Sequence, residues 1–307
     1  MTVEARNFHH PALLYHGSAE YVAGVSDFVR SAVHDGDPVL VAVPGTNLEL
    51  LRDALGDLGD RVTLADMTVA GRNPGRIIPG VLLRFAADHA GRRFSVVGEP
   101  IWPERTELEY AACAIHEALI NAVFAGRDAA ILCPYDVSRL DPAVVADAWS
   151  THPTLIEDGT LLDSDRFLDP EVTAAGFNRP LPPPPPDAET LVYEETIAAV
   201  RCFVRRLAAV HLPEASVEDL VLAASEVAAN TVDHTSGPGK VTVWTEPGVV
   251  VCQLQDTGHL TDPLAGRIRP PHIRHRGFGL VLANELCDLV RIHSGPSGTT
   301  VRLHKLR

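Results

Sequence analysis

Val217-Glu-Asp-Leu-Val-Leu-Ala-Ala-Ser-Glu-Val-Ala-Ala-Asn-Thr-Val-Asp-His234 reads as one long helix. Leu220, Val221, Ala224, Val227, Ala228 and Val232 recur at helical spacing and make a single apolar stripe. Ser216 precedes the run as a cap, with Asp219 three residues on. Glu226 and Asn230 stand four apart, so they stack on one face, one turn apart. A carboxylate and an amide in that arrangement can hold a water, polarise a hydroxyl or help ligate Mg²⁺ through oxygen. The same spacing is common on solvated helix surfaces, so the pair gains meaning only beside the glycine-rich segments downstream in the chain.

Residues 249–254 have the pattern of a strand that ends in Gln255-Asp-Thr-Gly258. Asp256 at a strand end can accept a hydrogen bond from an adenine amino group, and Gly258 lets the backbone pass close to a base. Arg276-Gly-Phe-Gly-Leu280 then opens a helix that continues to Leu286. The N–H groups of such a glycine-rich turn, here Gly277, Phe278, Gly279 and Leu280, suit a polyphosphate at the positive end of the helix. Gly298-Thr-Thr-Val301 precedes a last strand over residues 301–306, and the hydroxyls of Thr299 and Thr300 can line an adenine pocket. Arg267, Arg269, Arg274 and Arg276, with His272 and His275, form a basic stretch. It is either a lid or partner contact that meets negative charge, or an ordinary solvated loop.

The order Glu-x-x-x-Asn, Asp-x-Gly, Gly-x-Gly-Leu, Gly-Thr-Thr resembles the N, G1, G2 and G3 boxes of the GHKL ATPases. Within that superfamily, residues 188–307 are similar to the RsbW- and SpoIIAB-like anti-sigma regulators. Asp262-Pro-Leu-Ala-Gly-Arg267, Leu286-Cys-Asp-Leu-Val290 and Gly298-Thr-Thr-Val-Arg-Leu-His304 look like actinobacterial members of this group. The resemblance implies an α+β Bergerat sandwich with ATP and Mg²⁺ as cofactors. It implies two partners: a sigma factor that is bound and withheld, and a STAS-domain anti-anti-sigma protein phosphorylated on Ser or Thr. It implies that Asn230 holds Mg²⁺, Asp256 reads adenine, Gly277 to Gly279 cradle phosphates, and Glu226 is the catalytic group. Relatives of the ATPase commonly form homodimers. Asp256-Thr-Gly258-His-Leu260 departs from the Asp-x-Gly-x-Gly of many members in losing the second glycine, a change that bears on catalysis more than on nucleotide binding.

Two other functions compete. A sensor histidine kinase needs a phospho-acceptor histidine on a dimerising helical hairpin just before the ATPase, whereas residues 192–210 read as one helix with His211 at its end. His116-Glu117 matches such a site superficially but falls in a crossover helix of the first half. The third reading is a non-catalytic, ligand-gated module that sequesters its partner.

Pro180-Leu-Pro-Pro-Pro-Pro-Pro186 marks the boundary, as an extended polyproline spacer over residues 179–187 between domains at 1–178 and 188–307. Upstream of it, buried strands at residues 38–44, 61–65, 94–98 and 129–134 alternate with helices at 18–34, 47–58, 77–90, 107–125 and 142–150. Such alternation predicts an α/β domain with a mostly parallel sheet. Lys240 and Lys305 are the only lysines in the chain, so this domain has no P-loop lysine. Its polar residues are His9, His10, Tyr15, His16, Glu99, Cys133, Tyr135 and Asp136. Those after strands stand where parallel sheets hold ligands, though turns and core hydrogen bonds use the same residue types. His10-Pro-Ala-Leu-Leu-Tyr15, Glu20-Tyr-Val-Ala-Gly-Val-Ser-Asp-Phe-Val29, residues 107–121 and Cys133-Pro-Tyr-Asp136 resemble a MEDS sensory domain. That resemblance implies a RecA/KaiC-like core without its phosphate loop, sensing an unknown small ligand; His10, Tyr15, Glu99 and Tyr135 are the candidates to meet it.

The net charge of −14 falls mostly on the first 186 residues, and this disfavours direct nucleic-acid binding. The absence of a long apolar run predicts no membrane span and, with no signal-peptide pattern at the start, a cytoplasmic protein. The five cysteines are scattered in apolar runs and read as small core fillers rather than disulfides or a metal motif.

Overall fold

The computed structural model describes residues 8–268 and 277–307, so Arg269, His272, Arg274, His275 and Arg276 lie outside the described residues. The chain divides into two compact units, one reaching to Arg72 and then spanning Gly80–Phe177, the other holding Asn73–Pro79 and Asn178–Arg307.

The first unit is built on β1 (Phe8–His9), β2 (Pro11–Tyr15), β3 (Val39–Val43), β4 (Val62–Asp66), β5 (Phe94–Gly98), β6 (Ala129–Asp136), β7 (Thr154–Glu157) and β8 (Thr160–Asp163). Their order is β4-β3-β5-β6-β2-β7-β8, with β1 also on β6, and every pairing is parallel except β7 with β8. Every residue of β2, β3, β5 and β6 is buried, as expected for parallel strands covered on both faces. β6 runs two residues beyond the predicted strand, so Tyr135 and Asp136 belong to it rather than to the turn after it. The predicted helix over residues 77–90 is interrupted: Ile77–Leu82 forms a π turn and Leu83–Asp88 an α-helix. Pro79 explains the break, since it has no N–H for the helical ladder.

In the second unit β9 (Glu189–Tyr193), β10 (Gly239–Glu246), β11 (Val249–Asp256), β12 (Leu289–Gly295) and β13 (Gly298–Leu306) form an antiparallel sheet in the order β12-β13-β11-β10-β9. Helices Ile197–Ala208, Glu214–His234 and Gly279–Leu286 pack on one face. The two-residue period of the strands sends Val241, Val243, Val250, Cys252, Leu254, Val301 and Leu303 into that core, against Val200, Val204, Leu220, Val221 and Ala224 from the helices. The opposite face is polar: Arg302 stacks over Trp244 at 5.0 Å and donates to Gln253 Oε1 at 2.9 Å and to the Pro182 carbonyl at 2.5 Å. The proline segment is thus anchored on β13 through Pro182 rather than being a free spacer. Asn73 belongs to this unit, donating to the Asn284 carbonyl at 2.9 Å and accepting from the Val290 N–H at 3.3 Å.

Several expectations shift. The predicted helix over residues 192–210 is instead strand β9 followed by the shorter helix, because Leu191 and Tyr193 carry the core contacts of a strand. The long helix begins at Glu214 with Pro213 in the cap position, which places Ser216 inside the first turn. Val232 falls off the buried stripe and is exposed, as is Cys202, which therefore fills no core. Gly298, Thr299 and Thr300 lie in β13 instead of preceding it.

Gly298 has φ +116°, and a Cβ there would stand 1.9 Å from the Asp256 carbonyl oxygen. Gly248, in the β10–β11 turn, has φ +75° with open space around it. Gly248→Ala is therefore expected to cost only backbone strain, about 1–2 kcal/mol. Gly298→Ala, with strain and overlap together, should cost clearly more; urea unfolding of both variants measures the difference.

Candidate functional site

One cavity of about 530 Å³ opens in the second unit. Asn230 reaches it from the long helix, Asp256 and Gly258 from the end of β11, Thr299 and Val301 from β13, and Gly277, Gly279 and Leu280 from the start of the last helix. Leu260, Leu264, Ala265 and Ile268 give it an apolar wall, and His259 also lines it. The volume suits a drug- or nucleotide-sized ligand, and an apolar lining with a few convergent polar groups is the usual composition of such sites.

Both Asp256 oxygens are fixed. Thr231 Oγ1 donates to Oδ2 at 2.8 Å while accepting from Tyr193 Oη at 3.0 Å, and the Gly258 N–H donates to Oδ1 at 2.9 Å. Burial pushes the Tyr193 phenol up to about 12, so the relay begins from a neutral hydroxyl. Thr299 Oγ1 donates to the Gly258 carbonyl at 2.9 Å, closing the turn beneath the cavity. Tyr193 and Thr231 were not among the sequence candidates. Their signal is faint, because each is buried and each would serve equally well as a core residue.

The remaining candidates lie at the edge or outside. Glu226 is half-buried against the last helix: a Cβ on Gly279 would lie 3.4 Å from Glu226 Oε2, so a glycine here lets helix and carboxylate approach closely. Thr300 points to the opposite face of β13 from Thr299, where Gln255 Nε2 donates to it at 3.3 Å. Phe278 is exposed just before the last helix and does not line the cavity. Leu280 and Gly277 do line it.

In the first unit the predicted ligand set separates into two clusters. Glu99 follows β5; Asn47 Nδ2 donates to its carboxyl at 2.9 and 3.0 Å and Tyr21 Oη donates at 3.0 Å. Burial pushes the Glu99 carboxyl up to about 8, against the pull of the Asn47 and Tyr21 hydrogen bonds. Tyr15, at the end of β2, is raised by burial and by Glu99 and Asp136. His10 and Tyr135 belong to the other cluster, with Glu117, Cys133 and His152.

A parallel α/β unit is thus followed by an antiparallel sheet with a helix-covered, nucleotide-sized cavity. Residues 9–153 match the family model described as MEDS, methanogen/methylotroph, DcmR sensory domain, and residues 192–305 match that of the histidine kinase-like ATPase domain. The chain joins a domain of the first family to one of the second. No curated protein matches it. Among solved structures, the crystal structure of the RsbU and RsbW domains of Rv1364c from Mycobacterium tuberculosis is similar at 23% identity and a TM-score of 0.31, covering 40% of this chain and 33% of that one. No helix among the described residues is long and apolar enough to cross a membrane.

The Glu99 carboxyl sets a pH dependence. Its folded-state value of about 8 lies above the ordinary 4.5, so the folded chain holds a proton that the unfolded chain releases between those pH values. Its contribution is complete below pH 4.5 and is lost as pH rises toward 8, with a slope of up to about 1.4 kcal/mol per pH unit. Glu99→Gln mimics the protonated acid. The difference in urea midpoint between wild type and this variant should therefore change in favour of the variant as pH rises from 5 to 8.

Proposed function

We propose that the cavity of the second unit binds Mg²⁺-ATP and that the chain is an anti-sigma regulator that phosphorylates Ser or Thr on a STAS-domain partner. The observation that carries the nucleotide reading is the convergence of Asn230, Asp256, Gly277 and Gly279, distant in sequence, on one cavity with an apolar wall. The donor set fits the group: an amide oxygen for a hard cation, a fixed carboxylate for an amino group, and side-chain-free backbone for phosphates. Bound ATP supplies a transferable phosphoryl group, with Mg²⁺ neutralising its charge.

The chain's own residues position and protect. Asn230 helps hold Mg²⁺. Asp256, held by Thr231 and Gly258, accepts from the adenine amino group while Leu260, Leu264 and Ile268 exclude water from the base. Glu226, beside Gly279 at the edge of the cavity, orients or deprotonates the hydroxyl of the acceptor protein. The sigma-factor and STAS partners rest on the resemblance of the four sequence boxes to anti-sigma kinases. The Bergerat sandwich and the RecA/KaiC-like sensory core rest on resemblance in the same way, as do a homodimer, the small ligand of the first unit and a cytoplasmic site of action.

A non-catalytic module is the second reading, favoured by Leu260, which lines the cavity at the position of the second glycine of the Asp-x-Gly-x-Gly common in kinases of this kind. The histidine-kinase reading loses its hairpin: residues before the long helix form β9 and one helix packed in the ATPase core, and His116 is buried in the first unit.

Calorimetric titration of Mg²⁺-ATP into the full chain tests the site. Asn230→Ala should weaken binding, and Thr231→Val, which frees Asp256 without touching the cavity, should weaken it by about 1–2 kcal/mol, or some 5–30-fold. Absence of binding by the folded wild type would remove the ATP reading. With a STAS protein as acceptor, Glu226→Gln should bind ATP normally and transfer phosphate at least about 100-fold more slowly. A binding chain that transfers nothing would favour the non-catalytic module.

A further inference from the structure

His10, Glu117, Cys133 and His152 converge in the interior of the first unit, their ligand atoms all within 4.8 Å of one another. All four side chains are buried, at no more than 1% exposure. One strand, the link between two others, a helix and the residue following another helix deliver them. His10 lies between β1 and β2, Cys133 in β6, Glu117 on helix Glu107–Phe124, and His152 after helix Pro142–Thr151. Cys133 stands opposite Ala12 in the β2–β6 register, two residues from His10.

The outer hydrogen bonds fix both imidazole tautomers. Asn121 Nδ2 is committed to the carbonyls of Glu117, Ala118 and Thr151, at 3.3, 3.2 and 2.8 Å, so it is Oδ1 that faces His10 Nδ1 at 3.1 Å. An amide oxygen can only accept, so His10 Nδ1 carries the proton. His152 Nδ1 lies 3.0 Å from the Ala148 carbonyl, which can only accept, and 3.0 Å from the Thr151 hydroxyl, whose one proton goes to the Asp147 carbonyl at 3.1 Å, so it too is a donor. In both neutral rings the bare Nε2 therefore points inward. Each Nε2 lies 3.3 Å from Glu117 Oε2, and His10 Nε2 lies 3.4 Å from Cys133 Sγ.

Two nitrogen lone pairs aimed at one carboxylate oxygen repel unless positive charge lies among them. Of the four side chains, only the Cys133 thiol has a proton left to share, and one proton cannot serve this many acceptors. Glu117 Oε1 and Oε2 and His152 Nε2 are buried without a hydrogen-bond partner. Protonating both rings beside one carboxylate would leave a buried net positive charge, and protonating one would still leave the other Nε2 lone pair against Glu117 Oε2. A dication resolves the conflict. With a Glu117 carboxylate and a Cys133 thiolate it makes a neutral assembly, and both bare nitrogens become ligands.

The spacing agrees. Four ligands about 2.0–2.3 Å from a tetrahedral centre stand roughly 3.3–3.7 Å apart; the His10–Glu117, His152–Glu117 and His10–Cys133 pairs stand 3.3, 3.3 and 3.4 Å apart, and the whole set lies within 4.8 Å. Ligating histidines normally donate their second N–H to an oxygen, as both do here. Borderline nitrogen, thiolate and carboxylate donors in a closed site select zinc-class ions over Mg²⁺ or Ca²⁺.

We propose that His10 Nε2, Glu117, Cys133 Sγ and His152 Nε2 form a closed, four-ligand site for a zinc-class divalent cation in the sensory unit. On binding, Cys133 loses its proton to solvent as its sulfur bonds the metal, and no electron is transferred. Cys133, read from sequence as a core filler, is then a ligand.

Elemental analysis of the full chain, purified without chelator, should find about one zinc per chain. Chelator-treated protein reloaded with Co²⁺ should show a thiolate-to-cobalt charge-transfer band. Cys133→Ser should abolish that band, and His152→Gln should strip the metal. Asn121→Ala, which removes only the outer support of His10, should weaken affinity by about 10–100-fold with the band retained. Folded wild-type chain that takes up neither Zn²⁺ nor Co²⁺ would overturn the proposal. So would a full complement of metal in both Cys133→Ser and His152→Gln, which would place the ion elsewhere.

Discussion

Asp256 is the point on which the second unit turns. Its carboxylate is clamped by Thr231 from the long helix and by the Gly258 N–H, while its carbonyl lies so close to Gly298 that no side chain fits between β11 and β13. One residue thereby ties the sheet to the helix layer and sets the floor of the cavity. The apolar core beside it supplies most of the stabilisation, as hydrophobic burial does generally. The clamp supplies position, which burial alone cannot.

The same distinction explains what could be read from the sequence. Strands at residues 94–98 and 249–254 and the long helix were legible because their apolar periodicity is strong and local. The four boxes were legible because each is a short motif with its own backbone chemistry. Tyr193 and Thr231 were not, since the relay joins residues 38 positions apart whose types serve cores equally well. Val192 and Tyr193, the last two residues of β9, were read as helix because they sit beside a true helical run, and only pairing with β10 decides between the two. Thr300 was grouped with Thr299 by adjacency in sequence, although neighbours on a strand face opposite ways.

In the first unit His10, Tyr15, Glu99 and Tyr135 were read as one set, Glu99 and Tyr135 because they follow predicted strands and His10 and Tyr15 because they stand in the MEDS-like stretch near residue 10. The fold sorts them by face and depth: Tyr15 and Glu99 meet Tyr21 and Asn47 near strand ends, while His10 and Tyr135 join Glu117, Cys133 and His152 inside. Glu117 and His152 could not be singled out beforehand. A glutamate in one helix and a histidine at the end of another are ordinary until the fold brings them to the same spot. The two clusters also differ in kind, one built around a carboxyl that burial keeps protonated, the other around bare acceptors.

The place of β2 bears on how the chain is made. It lies in the middle of the sheet, pairing with β6 through Ala12 and Cys133 and with β7 through Ala12 and Leu155. β2 is synthesised well before both β6 and β7 and so waits for its neighbours on both sides, on the order of ten seconds at ordinary rates of synthesis. During that interval Pro11-Ala-Leu-Leu-Tyr15 is an apolar segment with no sheet to enter. In a nascent chain with this topology β2 stays uncovered until β6 and β7 are made, and a chain cut short before β6 leaves that apolar strand without either neighbour.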